Sequence, residues 1–280
     1  VSAQRREDIA TARRVVVKVG SSSISGDNAF RIATIVAALA AAHARGVEVV
    51  LVSSGAIATG MPYLALGERP SDLATQQAAA AVGQNVLIYR YQESLTPFGI
   101  VAGQVLLTAG DLENATPRSN ARRAMERLLG LRILPIVNEN DTVATHEIRF
   151  GDNDRLAALV AQLVGADALV LLSDIETLYT LPPDQPGARP IHDVAYGDDL
   201  DDFEFGSVVV NSVGTGGAAT KVSAARLAAA SGIGVLVTSA DLVDSALRGD
   251  PIGTWFEPNP DPSGPHTGPL RTASGVSGAR

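Results

Sequence analysis

The chain has 280 residues, 46% of them hydrophobic, enough to bury a substantial core as one large α/β domain or two small ones. Its 22 Lys and Arg stand against 30 Asp and Glu for a net charge of −8, with no basic run, which argues against nucleic acid or an anionic membrane as the main partner. There is no cysteine, so disulfides and thiolate chemistry are excluded; no stretch approaches about 18 apolar residues and the N-terminus lacks a signal-peptide core, so the expectation is a soluble cytoplasmic protein.

Strand and helix signals alternate along the chain. Val15 to Val19 reads as a buried strand, and Ile32, Ile35, Val36 and Leu39 recur at helical spacing before Arg45-Gly46 ends the helix. Val47 to Val52 predicts a second strand, a Ser/Gly loop follows, and Asp72 to about Leu95 has helix-forming composition. A third strand is expected over Ile100 to Leu107, a helix over Ser119 to Leu129 and a fourth strand over Leu131 to Val137. Leu156, Leu159, Val160, Leu163 and Val164 form one helical stripe that Asn153 or Asp154 can cap, and Ala168 to Leu172 supplies a fifth strand. Ser173 to Val210, broken by prolines and an acidic stretch, predicts loops and hairpins. A helix over Ala218 to Ala230 and a strand over Gly234 to Val237 close the pattern, and Pro258 to Arg280 has the composition of a disordered tail. This alternation predicts a largely parallel sheet with helices on both faces.

The densest polar motif is Val137-Asn138-Glu139-Asn140-Asp141, followed by Phe150-Gly151-Asp152-Asn153-Asp154. It comes directly after an apolar strand signal, so its amides and carboxylates emerge at a strand's carboxyl end, where open α/β sheets bind ligands. Lys18 lies inside the first apolar run, before Gly20, Ser21, Ser22 and Ser23. A buried ammonium is costly unless it meets an anion, and a Gly/Ser turn can present N–H groups to phosphate; an exposed lysine on an edge strand is the competing reading. Ser53-Ser54-Gly55-Ala56-Ile57 is built of small residues that can hold a carboxylate or phosphate or form an ordinary turn. Gly214-Thr215-Gly216-Gly217-Ala218-Ala219-Thr220-Lys221 leads into a helix, where glycines admit close backbone approach and Lys221 adds a compact charge; a flexible loop is the plain alternative.

No P-loop and no G-x-S-x-G motif occurs, and the four histidines (His43, His146, His192, His266) are scattered. Two lysines with Gly-rich loops at opposite ends of the sheet, and a carboxyamide cluster between them, suit phosphoryl transfer, which depends on positioning and charge stabilisation.

Together these segments, with Leu172-Ser173-Asp174, resemble the amino-acid kinase family over roughly Val15 to Phe256, and within it the branch that phosphorylates glutamate. The resemblance implies an αβα sandwich around a mostly parallel sheet, with a kinase domain over 1–257 and a disordered tail over 258–280. It implies a kinase that uses ATP and Mg2+ to phosphorylate the γ-carboxylate of L-glutamate, opening proline biosynthesis. Lys18 and Lys221 would neutralise the phosphates, and Asp154 would hold their ammonium groups. No general base is needed, since a carboxylate nucleophile is already ionised at neutral pH. Ser54, Asp141 and Asn153 match substrate positions, with Asn138 and Asp152 in support. Lys18, Ser173, Asp174, Thr215, Gly216, Gly217, Ala218, Ala219, Thr220 and Lys221 match nucleotide positions. A cytoplasmic homo-oligomer, feedback inhibition by proline and no dedicated metal cage are further implications.

Three departures from the family pattern stand out. Glu176-Thr177 replaces the usual Asp-Gly, which removes easy access to positive φ; Ala218 replaces a methionine; and the RNA-binding-like C-terminal domain of many members has no counterpart before the polar tail. Two other readings stay open at this level: a sister kinase acting on another acidic substrate, and a non-catalytic paralogue that binds glutamate or proline.

Overall fold

The computed structural model describes residues 2–143, 153–182, 184–198, 200 and 217–263. Strands β1 (Arg14–Lys18) and β2 (Glu48–Val52) flank helix α1 (Arg31–Ala44). The chain continues through α2 (Ala56–Gly60), α3 (Leu73–Leu95), β3 (Ala102–Leu107), α4 (Ala109–Glu113), α5 (Ala115–Gly130) and β4 (Leu134–Glu139). Then come α6 (Asn153–Val164), β5 (Ala168–Ser173), the two-residue strands β6 (Leu178–Tyr179), β7 (Pro190–Ile191) and β8 (Asp193–Val194), α7 (Ala218–Ala230), β9 (Gly234–Ser239), α8 (Val243–Arg248) and β10 (Thr254–Phe256).

Among the described residues, eight strands form one sheet in the order β3-β4-β2-β1-β5-β9-β10-β8, with every pair parallel except β9–β10; β6 and β7 make a separate antiparallel ribbon. The α/β sandwich expected from the alternation is therefore observed. After β1 the chain builds outward on one side through β2, β3 and β4, then crosses to β5 on the other side. That reversal opens a crevice at the carboxyl ends of β1 and its neighbours, the usual ligand position in such sheets.

The two-residue strand period decides which side chains meet which layer. Val15 and Val17 join a core with α1, Leu87 and Tyr91 of α3, and Val243 of α8. Val16 faces the opposite core, with Met125 of α5, Leu156 and Val160 of α6, and Ala225 and Ala228 of α7. Both faces are covered, which accounts for the unbroken apolar runs in the central strands.

Several boundaries differ from expectation for identifiable reasons. Helix α5 begins at Ala115 rather than Ser119, because Pro117 in the first turn gives up no hydrogen bond that the helix needs. Strand β4 starts at Leu134, after a turn in which Arg132 has φ 59°, and it extends through Glu139, so Asn138 and Glu139 belong to the sheet. Pro258 is buried and the Asn259 amide donates to the Ala229 carbonyl at 2.8 Å, so contact with the fold continues past Glu257; residues 264–280 lie outside the described residues. No helix among the described residues is long and apolar enough to cross a membrane.

Candidate active site

Lys18 is the last residue of β1 and shares the parity of Val16, which directs it to the sheet face covered by α6 and α7. Asp154 lies in the first turn of α6, and Lys221 in the first turn of α7. All three meet. Lys18 Nζ is 2.7 Å from Asp154 Oδ1, an ion pair outside ideal hydrogen-bond alignment, and Lys221 Nζ is 3.4 Å from Oδ2. Thr220 Oγ1 also donates to Oδ2 at 2.9 Å and reaches the Gly217 carbonyl. The lysines thus do not stand at opposite ends of the sheet, as their loops suggested; β1 is central, and helix α7 brings Lys221 back over it.

Two cations share one buried carboxylate, which leaves the trio with an excess of one positive charge. Burial pushes the Asp154 carboxyl up, but Lys18 and Lys221 outweigh it and hold it down at about 2. For Lys221, burial and then the neighbouring Lys18 lower the ammonium's pKa, against the opposing pull of Asp154 and Asp174. An uncompensated cation in a crevice, at the start of a 13-residue helix, is a receptor for anionic oxygen.

The turn after β1 is built for the same purpose. Its inner amides are used locally: Ser23 N donates to Gly20 O at 3.3 Å, Ile24 N to Ser21 O at 3.2 Å and Ser25 N to Ser21 O at 3.0 Å. The amides of Gly20 and Ser22 donate to no backbone carbonyl among the described residues. Exposed Asp174, just past β5, accepts from Ser22 Oγ at 2.7 Å and Ser23 Oγ at 3.1 Å. The sequence marked Asp174 and the turn separately; their contact follows from the β1–β5 pairing, which no linear pattern reveals.

On the β2 side, Ser53 N donates to the Val137 carbonyl and Ser53 Oγ lies 2.9 Å from the Tyr91 hydroxyl, so that Ser54 is held at the mouth of the crevice, largely buried. Gly55 turns the chain into α2 with φ 89°, and a side chain there would meet Ser25 Oγ at 2.8 Å. Helices α2 and α3 touch backbone to backbone: a Cβ on Gly60 would lie 1.9 Å from the Ala79 carbonyl oxygen, and one on Gly83 would lie 1.8 Å from that of Ala56. Asn138 spends its side chain on the protein, donating to Gln84 Oε1 at 3.2 Å and accepting from the Glu139 amide at 2.9 Å; it holds the wall in place. Asp141 sits in the turn Asn140–Val143, partly buried, and burial raises its carboxyl to about 6 against the pull of Arg69. Nothing periodic marks Arg69 in the sequence, and its relation to Asp141 is a product of folding.

Asn153 opens α6 with a buried Oδ1 that has no hydrogen-bond partner among the described residues, beside Asp154. Gly217 caps α7, Ala218 packs against the helix core, and Ala219 is exposed. Ser173 ends β5. Asp152, Thr215 and Gly216 lie outside the described residues.

The Glu176-Thr177 departure has a structural explanation. Thr177 is buried and is not among the residues with positive φ, so no glycine is required. Its hydroxyl donates to the Ile191 carbonyl at 2.9 Å and lies 2.9 Å from Thr254 Oγ1, which in turn accepts from the Leu178 amide at 2.8 Å. The threonine anchors the loop after β5 to β7 and β10.

The chain is 72% identical over 253 residues to the glutamate 5-kinase of Clavibacter michiganensis subsp. michiganensis, covering 90% of this chain and 97% of that protein. It is equally similar, at 72% identity and 94% of the relative's length, to the glutamate 5-kinase of Leifsonia xyli subsp. xyli. The glutamate 5-kinase of Salinispora arenicola is 54% identical over 259 residues, with 70% of its length covered. Among known structures, carbamate kinase from Giardia lamblia bound to AMP-PNP superposes with a TM-score of 0.64 at 16% identity, over 89% of this chain and 100% of that one, a likeness of fold. The model of the amino acid kinase family matches residues 13–239, from the start of β1 to the end of β9, and the chain belongs to that family.

Proposed function

We propose that the chain is a glutamate 5-kinase, transferring the γ-phosphoryl group of ATP to the γ-carboxylate of L-glutamate to give glutamyl 5-phosphate, the first step of proline biosynthesis. The observation that carries this reading is the pair of ammonium groups on one buried carboxylate, in a chain 72% identical to proteins of that name.

In this reading the substrate carboxylate attacks as the anion, so no residue takes a proton from it. Lys18 and Lys221 meet the oxygens of the migrating phosphoryl group, where negative charge must be stabilised without reorganisation. Asp154 keeps the two cations together when the site is empty and sets their orientation. The amides of Gly20 and Ser22, which donate to no backbone carbonyl among the described residues, and the start of α7 receive phosphate oxygens. On the glutamate side, ionised Asp141 complements the α-ammonium, while Ser54 and Asn153, with its unpartnered Oδ1, offer polar atoms to the rest of the amino acid. Asn138 and Asp152 support that wall. Ser173, Asp174 and residues 215–221 form the nucleotide side.

Magnesium enters with the nucleotide. Among the described residues no group of three His, Asp or Glu could cage a metal, and this donor set fits an ion carried mainly by phosphate oxygens and water. Its contribution when bound is to neutralise part of the phosphate charge. In this reading the kinase domain runs to at least Asn259, whose amide bonds the Ala229 carbonyl, with the tail beyond it; proline is the expected feedback inhibitor, and a cytoplasmic homo-oligomer the expected form.

The test is a coupled assay of ADP release with L-glutamate, L-aspartate and N-acetyl-L-glutamate as acceptors. Glutamate-dependent release at a rate well above the other two is expected. Preference for another acid, or no acceptor-dependent release, overturns the assignment.

A further inference from the structure

The Ser22–Ser23–Asp174 contact has no part in the chemistry above, and it poses a physical problem. A carboxylate at the edge of a site that must admit a polyphosphate repels its own ligand unless something directs or offsets its charge. Here each oxygen of Asp174 accepts one hydroxyl, at 2.7 Å and 3.1 Å, from two consecutive serines. Two bonds to two oxygens fix the carboxylate in both position and rotation, and hydrogen bonds to a charged acceptor are the stronger kind. The donors are themselves fixed. Ser23 is fully buried with its amide bonded to Gly20, and the Ser22 carbonyl accepts from Asn28 Nδ2 at 2.8 Å.

The contact also joins two parts of the site that the chain separates by about 150 residues, on adjacent strands β1 and β5. One is the turn after β1, whose Gly20 and Ser22 amides receive phosphate in that reading; the other is the loop that leads from β5 past buried Thr177. The anchoring of Thr177 to Thr254 and Ile191 holds the far end of that loop, and the serines hold its near end.

We propose that Ser22 and Ser23 are positioning residues for the nucleotide, whose hydroxyls pin Asp174 so that the phosphate-binding turn and the β5 loop are held in one register. The inference rests on the kinase reading above and adds a role for two side-chain hydroxyls that the reading leaves unused. They act through Asp174, so their effect falls on nucleotide affinity and spares both the glutamate side and the chemical step.

The experiment is calorimetric titration of the full chain with a non-hydrolysable ATP analogue plus Mg2+, alongside steady-state kinetics. Variants are Ser22→Ala, Ser22→Ala with Ser23→Ala, Ser22→Thr, Asp174→Asn, and Ser22→Ala in the Asp174→Asn background. The double alanine variant should bind the analogue about tenfold more weakly, the effect of ~1.4 kcal/mol. KM for ATP should rise in parallel, with kcat within about threefold and KM for glutamate unchanged. Ser22→Thr, which keeps the hydroxyl, should bind as wild type, and Ser22→Ala should have a clearly smaller further effect once Asp174 is Asn, whose amide makes only a neutral hydrogen bond to the serine. Ser22 is only partly buried, so the single variant remains informative if loss of the Ser23 hydroxyl disturbs folding. Affinity within twofold of wild type in the alanine variants, or effects of Ser22→Ala and Asp174→Asn that simply add, overturns the proposal. Failure of the wild-type chain to bind the analogue at all overturns instead the kinase reading on which it rests.

Discussion

Replacing Asp154 with Asn keeps the shape of the side chain and removes the one negative charge between Lys18 and Lys221. A carboxyl held at about 2 against an ordinary value of 3.8 corresponds to roughly 2–3 kcal/mol of native-state stability at neutral pH. Breaking a buried ion pair by deleting one partner costs about 3–5 kcal/mol, because the remaining charge is left uncompensated. Together they bracket a loss of about 2–5 kcal/mol. Because the folded-state pKa is depressed, the wild-type advantage is complete above pH 4 and is lost as pH falls toward 2; the gap between the two proteins must narrow over that interval. Trp255, the single tryptophan and fully packed, reports unfolding in urea by its fluorescence. Urea titrations at pH 7, 4 and 3 give the gap directly. A variant as stable as wild type at pH 7, or a gap that stays constant down to pH 3, would refute the shared-carboxylate account of the site.

Four further outcomes follow from the same geometry. Lys221→Ala should lower kcat by roughly 10²–10³ with little change in KM for glutamate, and undiminished turnover would remove Lys221 from the phosphoryl path. Asp141 has a folded pKa near 6, so KM for glutamate should rise as pH drops through 6; Asp141→Asn should weaken glutamate binding more than ATP binding and flatten that profile. If initial rates show the pH dependence surviving in the Asn variant, another group is titrating. Thr177→Gly, which restores the residue usual in the family, should cost ~1 kcal/mol in urea denaturation by deleting the buried hydroxyl that bonds the Ile191 carbonyl and lies against Thr254 Oγ1; a neutral effect would show that the loop is anchored elsewhere. Gly83→Ala should raise KM for glutamate several-fold and lower the melting temperature, since its methyl group meets the Ala56 carbonyl at 1.8 Å; wild-type values would mean that α2 can retreat at no cost.

The parallel sheet was legible because buried central strands leave continuous apolar runs and the helices between them keep a 3.6-residue stripe, as in Leu156 to Val164. What escaped was short. Helices α2 and α4 have five residues each, below a full stripe, and β10 has three, so neither Gly60 nor Trp255 carried a pattern that named its element. In the site, Lys18, Asp154 and Lys221 were legible as types, an ammonium in an apolar run and polar residues at helix starts, while their convergence depended on strand order. Arg69, Gln84 and the Ser22–Asp174 contact had no linear signal, because each partner is ordinary in its own segment and significant only beside the other. The concern over Thr177 arose from treating a glycine as a conformational requirement, whereas here a side-chain hydroxyl supplies the anchoring.

The two glycines at the α2–α3 crossing have a mechanical consequence. A five-residue helix has too few turns to persist by itself, so α2 borrows its form from the 23-residue rod that it touches main chain to main chain. With no side chains in between to slide or re-pack, the bank carrying Ser54 moves only if the whole of α3 moves. Whatever breathing accompanies turnover must then come from the far shore, at α7 and the loop past β5.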